Sequence, residues 1–142
     1  MQRKIILVQN KLKSLGIGFD SIFADGANDI IVKSPSTYKE LKIKVLARSG
    51  PKPAGGTGAD ALDWWIPENI SADAVALVDL DKERCWLFKK SDIDHYAQQH
   101  PPGKYHLFMY VDRSVNILKD RLCFVHEFDE FLIENNFKSI FD

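Results

Sequence analysis

Asp29, followed by Glu40 and Lys42 two positions apart, carries the residue types and order that phosphodiester hydrolysis uses. Two carboxylates on adjacent strands can hold a divalent cation, which activates a water and neutralises charge on a phosphate. A lysine two residues beyond the second carboxylate shares its face of the strand and can assist the nucleophile or stabilise the developing charge. Asp29 and Glu40 would be the metal ligands, with Mg²⁺ as cofactor if the site is active. Lys44 takes the lysine role in a shifted register. Lys42, Lys44, Arg48 and Lys52 also form a series of cations able to meet the phosphates of DNA or RNA.

The same residues have plainer uses. Asp29 at a strand start serves equally as a turn acid. Glu40, Lys42 and Lys44 serve equally as the solvated face of a strand near a sheet edge, where lysines discourage edge-to-edge pairing. A turn centred near Ser36 would set Asp29 opposite Ile43 or Lys44 and leave Glu40 several ångströms along the strand.

The elements that must position these residues follow from periodicity. Over residues 2–15, Ile5, Val8, Leu12 and Leu15 recur at spacings of three and four with the bases largely off that stripe, which predicts an amphipathic helix ended by Gly16-Ile17-Gly18. Residues 19–23 read as a strand, 25–28 as a turn and 29–33 as a β-branched strand. Ser34-Pro35-Ser36-Thr37 is the next turn. Residues 38–48 alternate Glu40, Lys42 and Lys44 with Leu41, Ile43 and Val45, a half-buried strand.

Residues 49–60, rich in Gly and Pro, are expected to form a mobile surface loop. Trp64-Trp65-Ile66-Pro67 returns the chain to the core, with both tryptophans read as core or core rim. Residues 72–80 predict a buried strand and 85–88 its hairpin partner. A short helix capped by Ser91 runs to His100-Pro101-Pro102-Gly103. A strand over 105–111 and a final amphipathic helix from about His126 complete the chain. Ile5, Val8, Leu12, Ile31, Ile43, Val45, Val75, Leu77 and Trp86 are the expected core.

Asn28-Asp29-Ile30-Ile31-Val32, a turn, then Glu40-Leu41-Lys42-Ile43-Lys44-Val45 and Ala47-Arg48-Ser49 resemble the PD-(D/E)XK nuclease superfamily, over roughly residues 1–100. The resemblance implies an α/β fold, a restriction-endonuclease-like mixed sheet with flanking helices, and metal-dependent cleavage of nucleic acid. The chain also departs from that pattern. Aligned on Ala47-Arg48-Ser49, Lys44 stands where the family has Gln or Glu, and Leu46 where it has the catalytic lysine. In a register two residues earlier Lys42 takes the carboxylate position. The predicted first helix carries no acid. Three readings stay open: a nuclease, a lapsed relative that binds nucleic acid without cutting, and a protein-interaction or accessory module that keeps the fold.

With 142 residues, 45% of them hydrophobic, one domain over 1–142 can bury its own core. Ten bases against five acids leave +5 on residues 1–60, and nine against fifteen leave −6 on the rest, so one half can face a polyanion. Cys85 and Cys123 sit in apolar runs, as reduced buried thiols do, and no signal sequence or 18-residue apolar span is evident; a soluble, cytoplasmic protein is expected. Gly55-Gly56-Thr57-Gly58 lacks the Gly-Lys-Ser/Thr ending of a phosphate-binding loop. His95, His100, His106 and His126 have no partners at zinc-ligand spacing. Oligomeric state is left open.

Overall fold

The computed structural model describes residues 2–34, 37, 39–117 and 120–141. The chain runs α1 (Arg3–Ser14), a 3₁₀ turn (Phe19–Ser21), β1 (Ile22–Asp25), β2 (Asp29–Lys33), β3 (Glu40–Arg48), β4 (Lys52–Pro53), β5 (Asp60–Pro67), β6 (Ala74–Asp79), β7 (Arg84–Lys89), α2 (Lys90–Tyr96), β8 (Lys104–Tyr110), a 3₁₀ segment (Val125–Phe131) and α3 (Ile133–Phe141). Of the turn and strand start expected around Ser36, Pro35, Ser36 and Tyr38 lie outside the described residues.

Five strands form a mixed sheet in the order β1-β2-β3-β6-β7, in which β3 and β6 are parallel and the other pairs antiparallel. The crossover between the parallel strands contains β4 and β5, which with β8 make a second, antiparallel sheet. One face of the large sheet, carrying Ile30, Val32, Leu41, Ile43, Val45, Ala76 and Val78, packs on the apolar stripe of α1 (Ile5, Val8, Leu12) and on Ile133, Phe137 and Ile140 of α3. On the other face Val75, Leu77, Trp86 and Phe88 meet Leu62, Trp64 and Ile66 of β5, Leu107 and Met109 of β8, and the Phe128 and Phe131 rings. Covered on both sides, β6 is buried at all six positions, which is why its sequence reads Ala-Val-Ala-Leu-Val rather than alternating.

Several expectations are corrected. Ile31 is half-buried and not core, because it alternates onto the face that the second sheet leaves open. Residues 50–60 are docked: Lys52 and Pro53 pair with Ala61 and Asp60, and the Tyr110 hydroxyl donates to the Gly55 carbonyl at 3.1 Å. Proline is tolerated there because β4 is an edge strand. The tryptophan pair belongs to an eight-residue strand. The 19–23 strand is a 3₁₀ turn leading into β1, and the final helix is a 3₁₀ segment followed by α3. The α2 cap is Lys89, whose backbone N–H donates to Asp92.

Candidate functional site

Along β3 the cover of the second sheet reaches only to Leu46, while on β6 and β7 it extends over Val75 and Phe88. That leaves an open polar face on β1, β2 and the first half of β3. Strand alternation decides what stands on it: with Ile22, Ile30, Val32, Leu41, Ile43 and Val45 turned to the core, Phe23, Asp25, Asp29, Ile31, Lys33, Glu40, Lys42 and Lys44 face outward.

The register sets these side chains in rows. Asp25, Asp29 and Lys44 are directly opposed across three strands; Phe23, Ile31 and Lys42 form the next row; Lys33 and Glu40 form the last. The residue facing Asp29 is therefore Lys44. Glu40 stands four positions along the ladder, about 13 Å away at strand spacing, and is paired with Lys33 at 3.3 Å. Oxygens ligating one Mg²⁺ at about 2.1 Å lie within about 4 Å of each other, so Asp29 and Glu40 are not brought together as ligands. Among the described residues no group of three His, Cys, Asp or Glu side chains is arranged to hold a metal ion.

The carboxylates that the hairpin does set side by side are Asp25 and Asp29, which flank the Gly26-Ala27-Asn28 turn. Lys42 Nζ lies 3.6 Å from Asp25. From α1, Lys4 donates to Asn28 Oδ1 at 2.6 Å. Partial burial, then the like charge of Lys44, hold the Lys4 ammonium below the usual lysine range, while Asp29 pulls the other way. Lys4 is thus part of the same charged cluster. The backbone of Lys42 is fixed by Asp73, whose Oδ2 accepts from Lys42 N at 2.9 Å while its own N–H donates to the Lys42 carbonyl at 2.9 Å. Lys4, Asp25 and Asp73 were not singled out from sequence, because their roles depend on a helix end, a turn and a parallel crossover meeting.

Arg48 and Lys52 fall elsewhere. Arg48 Nε donates to the Asp63 carbonyl at 2.8 Å and Nη2 to Asp63 Oδ1 at 3.0 Å, so its guanidinium is taken up in joining the two sheets. Asp63 is only 4% exposed. Its other oxygen lies 2.8 Å from His106 Nε2, and His106 Nδ1 lies 2.8 Å from Gln99 Oε1. Burial raises the Asp63 pKa, but hydrogen bonds from His106 and Arg48 and the charges of Arg48 and Lys52 outweigh it and hold the carboxyl below the usual aspartate range. Lys52 is exposed on the edge strand β4. Trp64 is buried, and Trp65 is partly exposed with His106 stacked on its ring at 3.9 Å. Cys85 and Cys123 are buried and form no disulfide. Among the described residues, no helix is long and apolar enough to cross a membrane.

No family model and no curated sequence matches the chain. In fold it is similar to a bacterial homing endonuclease, I-Ssp6803I, with a TM-score of 0.50 and 10% sequence identity over 82% of this chain and 80% of that one. The chain thus has a nuclease-like α/β fold: a five-stranded mixed sheet with flanking helices.

Proposed function

We propose that this chain is a degenerate member of the PD-(D/E)XK superfamily that binds nucleic acid on the open face of its five-stranded sheet and does not cleave it through a paired-carboxylate metal site. The observation that carries the reading is the Asp29–Lys44 register. A divalent cation placed between Asp25 and Asp29 meets Lys44 across one strand spacing, with Lys4 and Lys42 close by; three ammonium groups against two carboxylates leave one positive charge in excess, which disfavours a cation and admits a phosphate. Lys44 and Lys42, the latter shared with Asp25, with Lys4 and the Glu40-paired Lys33 at the rim, are the cations offered to phosphates; Arg48 serves the fold, and Lys52 is a further exposed cation on the edge of the second sheet. Binding of this kind is modest and falls as salt rises, because each lysine–phosphate contact releases counterions.

A second reading is favoured by the opposed pair Asp25 and Asp29: a metal-dependent nuclease holding Mg²⁺ on those two carboxylates, with Lys42 as the assisting lysine. The experiment that separates the readings is incubation with labelled single-stranded and duplex DNA and RNA in Mg²⁺ or Mn²⁺, beside Asp29→Ala and the double variant Lys42→Ala/Lys44→Ala. Binding without cleavage, weakened in the double variant with a salt slope flatter by up to about two units, supports the proposal. Metal-dependent cleavage lost in Asp29→Ala sinks it in favour of the nuclease. Neither binding nor cleavage leaves the protein-interaction or accessory module that retains the fold.

A further inference from the structure

We infer that the nucleic acid taken by the open sheet face is single-stranded, with one of its bases stacked on Phe23; this rests on the binding function proposed above. Phe23 is 43% exposed, on the edge strand β1, where only Ile22 is buried. Its neighbours Ile22, Ile30 and Val32 are buried, so the strand is in register and the ring is turned outward by the alternation itself. On that face it stands in the row of Ile31 and Lys42, which makes a small apolar strip within a charged surface. Lys33 Nζ lies over the ring at 5.2 Å from its centroid, so a base stacked on that face takes the place of the ammonium, which is then free for the adjoining phosphate, and Lys44 stands in the adjoining row. An aromatic ring on an open sheet, with lysines to either side for the backbone phosphates, is suited to hold an unpaired base by its face.

The charge pattern separates a single strand from a duplex. Three acids, Asp25, Asp29 and Glu40, share the face with three lysines, Lys33, Lys42 and Lys44, so it is close to neutral. A duplex brings about one negative charge per 1.7 Å of axis and keeps its base faces inside its own stack. It would meet the three acids with that full charge and gain nothing from the ring. A single strand carries half the charge per unit length and presents base faces. The open strip is also narrow, three strands or about 10 Å across, before the covered strand β6 begins with Val75 beside Lys44.

The test is fluorescence polarisation of the full chain with labelled single-stranded and duplex oligonucleotides of equal length, using wild type, Phe23→Ala and Phe23→Trp. Wild type should bind the single strand more tightly. Phe23→Ala should weaken that binding roughly 5- to 150-fold, the range implied by loss of one base–aromatic stack, and leave duplex binding unchanged. Phe23→Trp should retain the affinity, with indole fluorescence quenched on binding beyond any change in wild type, whose Trp65 is itself exposed. Thermal melts of the variants check folding; should the alanine variant unfold, the quench in Phe23→Trp decides. Duplex bound as tightly as single strand, no quench, or a Phe23→Ala effect confined to self-association overturns this inference and leaves the nucleic-acid reading standing. No binding of either form by wild type removes both.

Discussion

Lys44 and Asp29 stand one strand spacing apart, and the pair has a checkable consequence for metal affinity. Lys44→Glu would set a carboxylate opposite Asp29, with Asp25 on the far side of Asp29, removing one positive charge and adding a negative one within reach of a cation. Calorimetric titration with Mn²⁺ should then show binding that wild type lacks or shows only weakly. Asp63 is the second residue whose chemistry can be followed. Its carboxylate is held ionised below its ordinary value of 3.8 by His106 and Arg48 against the opposing effect of burial. A depressed folded-state pKa gives stability that is present above the unfolded value and lost as pH falls through the folded one. Urea midpoints should therefore drop below about pH 4, and Asp63→Asn should show a shallower drop. Asp63→Ala, which removes the buried carboxylate from Arg48 Nη2 and His106 Nε2 while leaving the backbone acceptor of Arg48 in place, should cost about 3 kcal/mol at neutral pH.

Among the elements, the segment joining β4 to β5 carries the sharpest constraint. Gly55 has φ +74°, and a Cβ there would run into the Tyr110 hydroxyl and the Phe108 ring. Gly55→Ala should destabilise by about 2–4 kcal/mol, the left-handed penalty plus overpacking, read as a lower urea midpoint. Limited proteolysis should find this segment resistant in wild type and cleavable in the variant. The sequence reads as loop here because glycine and proline punctuate it, whereas what docks it, Tyr110, lies 55 residues away. Elements with strong local periodicity were legible: the α1 stripe, the alternation of β3 and the apolar run of β6. The second sheet was not, since β5 is inward-facing at Leu62, Trp64 and Ile66 but also buries Asp63 on its other side, which blurs a period of two. On the open face, the identities of Asp29, Lys42 and Lys44 could be read from the chain. Which of them face one another depends on the ladder, and Asp25 and Lys4 enter only through tertiary placement.

At the scale of the molecule, the large sheet is the partition between two apolar layers, one with α1 and α3 and one with the second sheet. Leu77, fully buried at the centre of that second layer, should cost about 2–5 kcal/mol when truncated to alanine. The parallel pairing of β3 with β6 has a kinetic meaning as well. Residues 49–73 must loop out and back before Ile43 can meet Ala74, whereas β1–β2 and β6–β7 need only tight turns. Loop closure is slow to reward the chain, so the hairpins should assemble early and the β3–β6 seam should close late in folding. Small truncations along that seam, such as Val45→Ala, should then show themselves in stopped-flow experiments mainly as faster unfolding, with the refolding rate little changed.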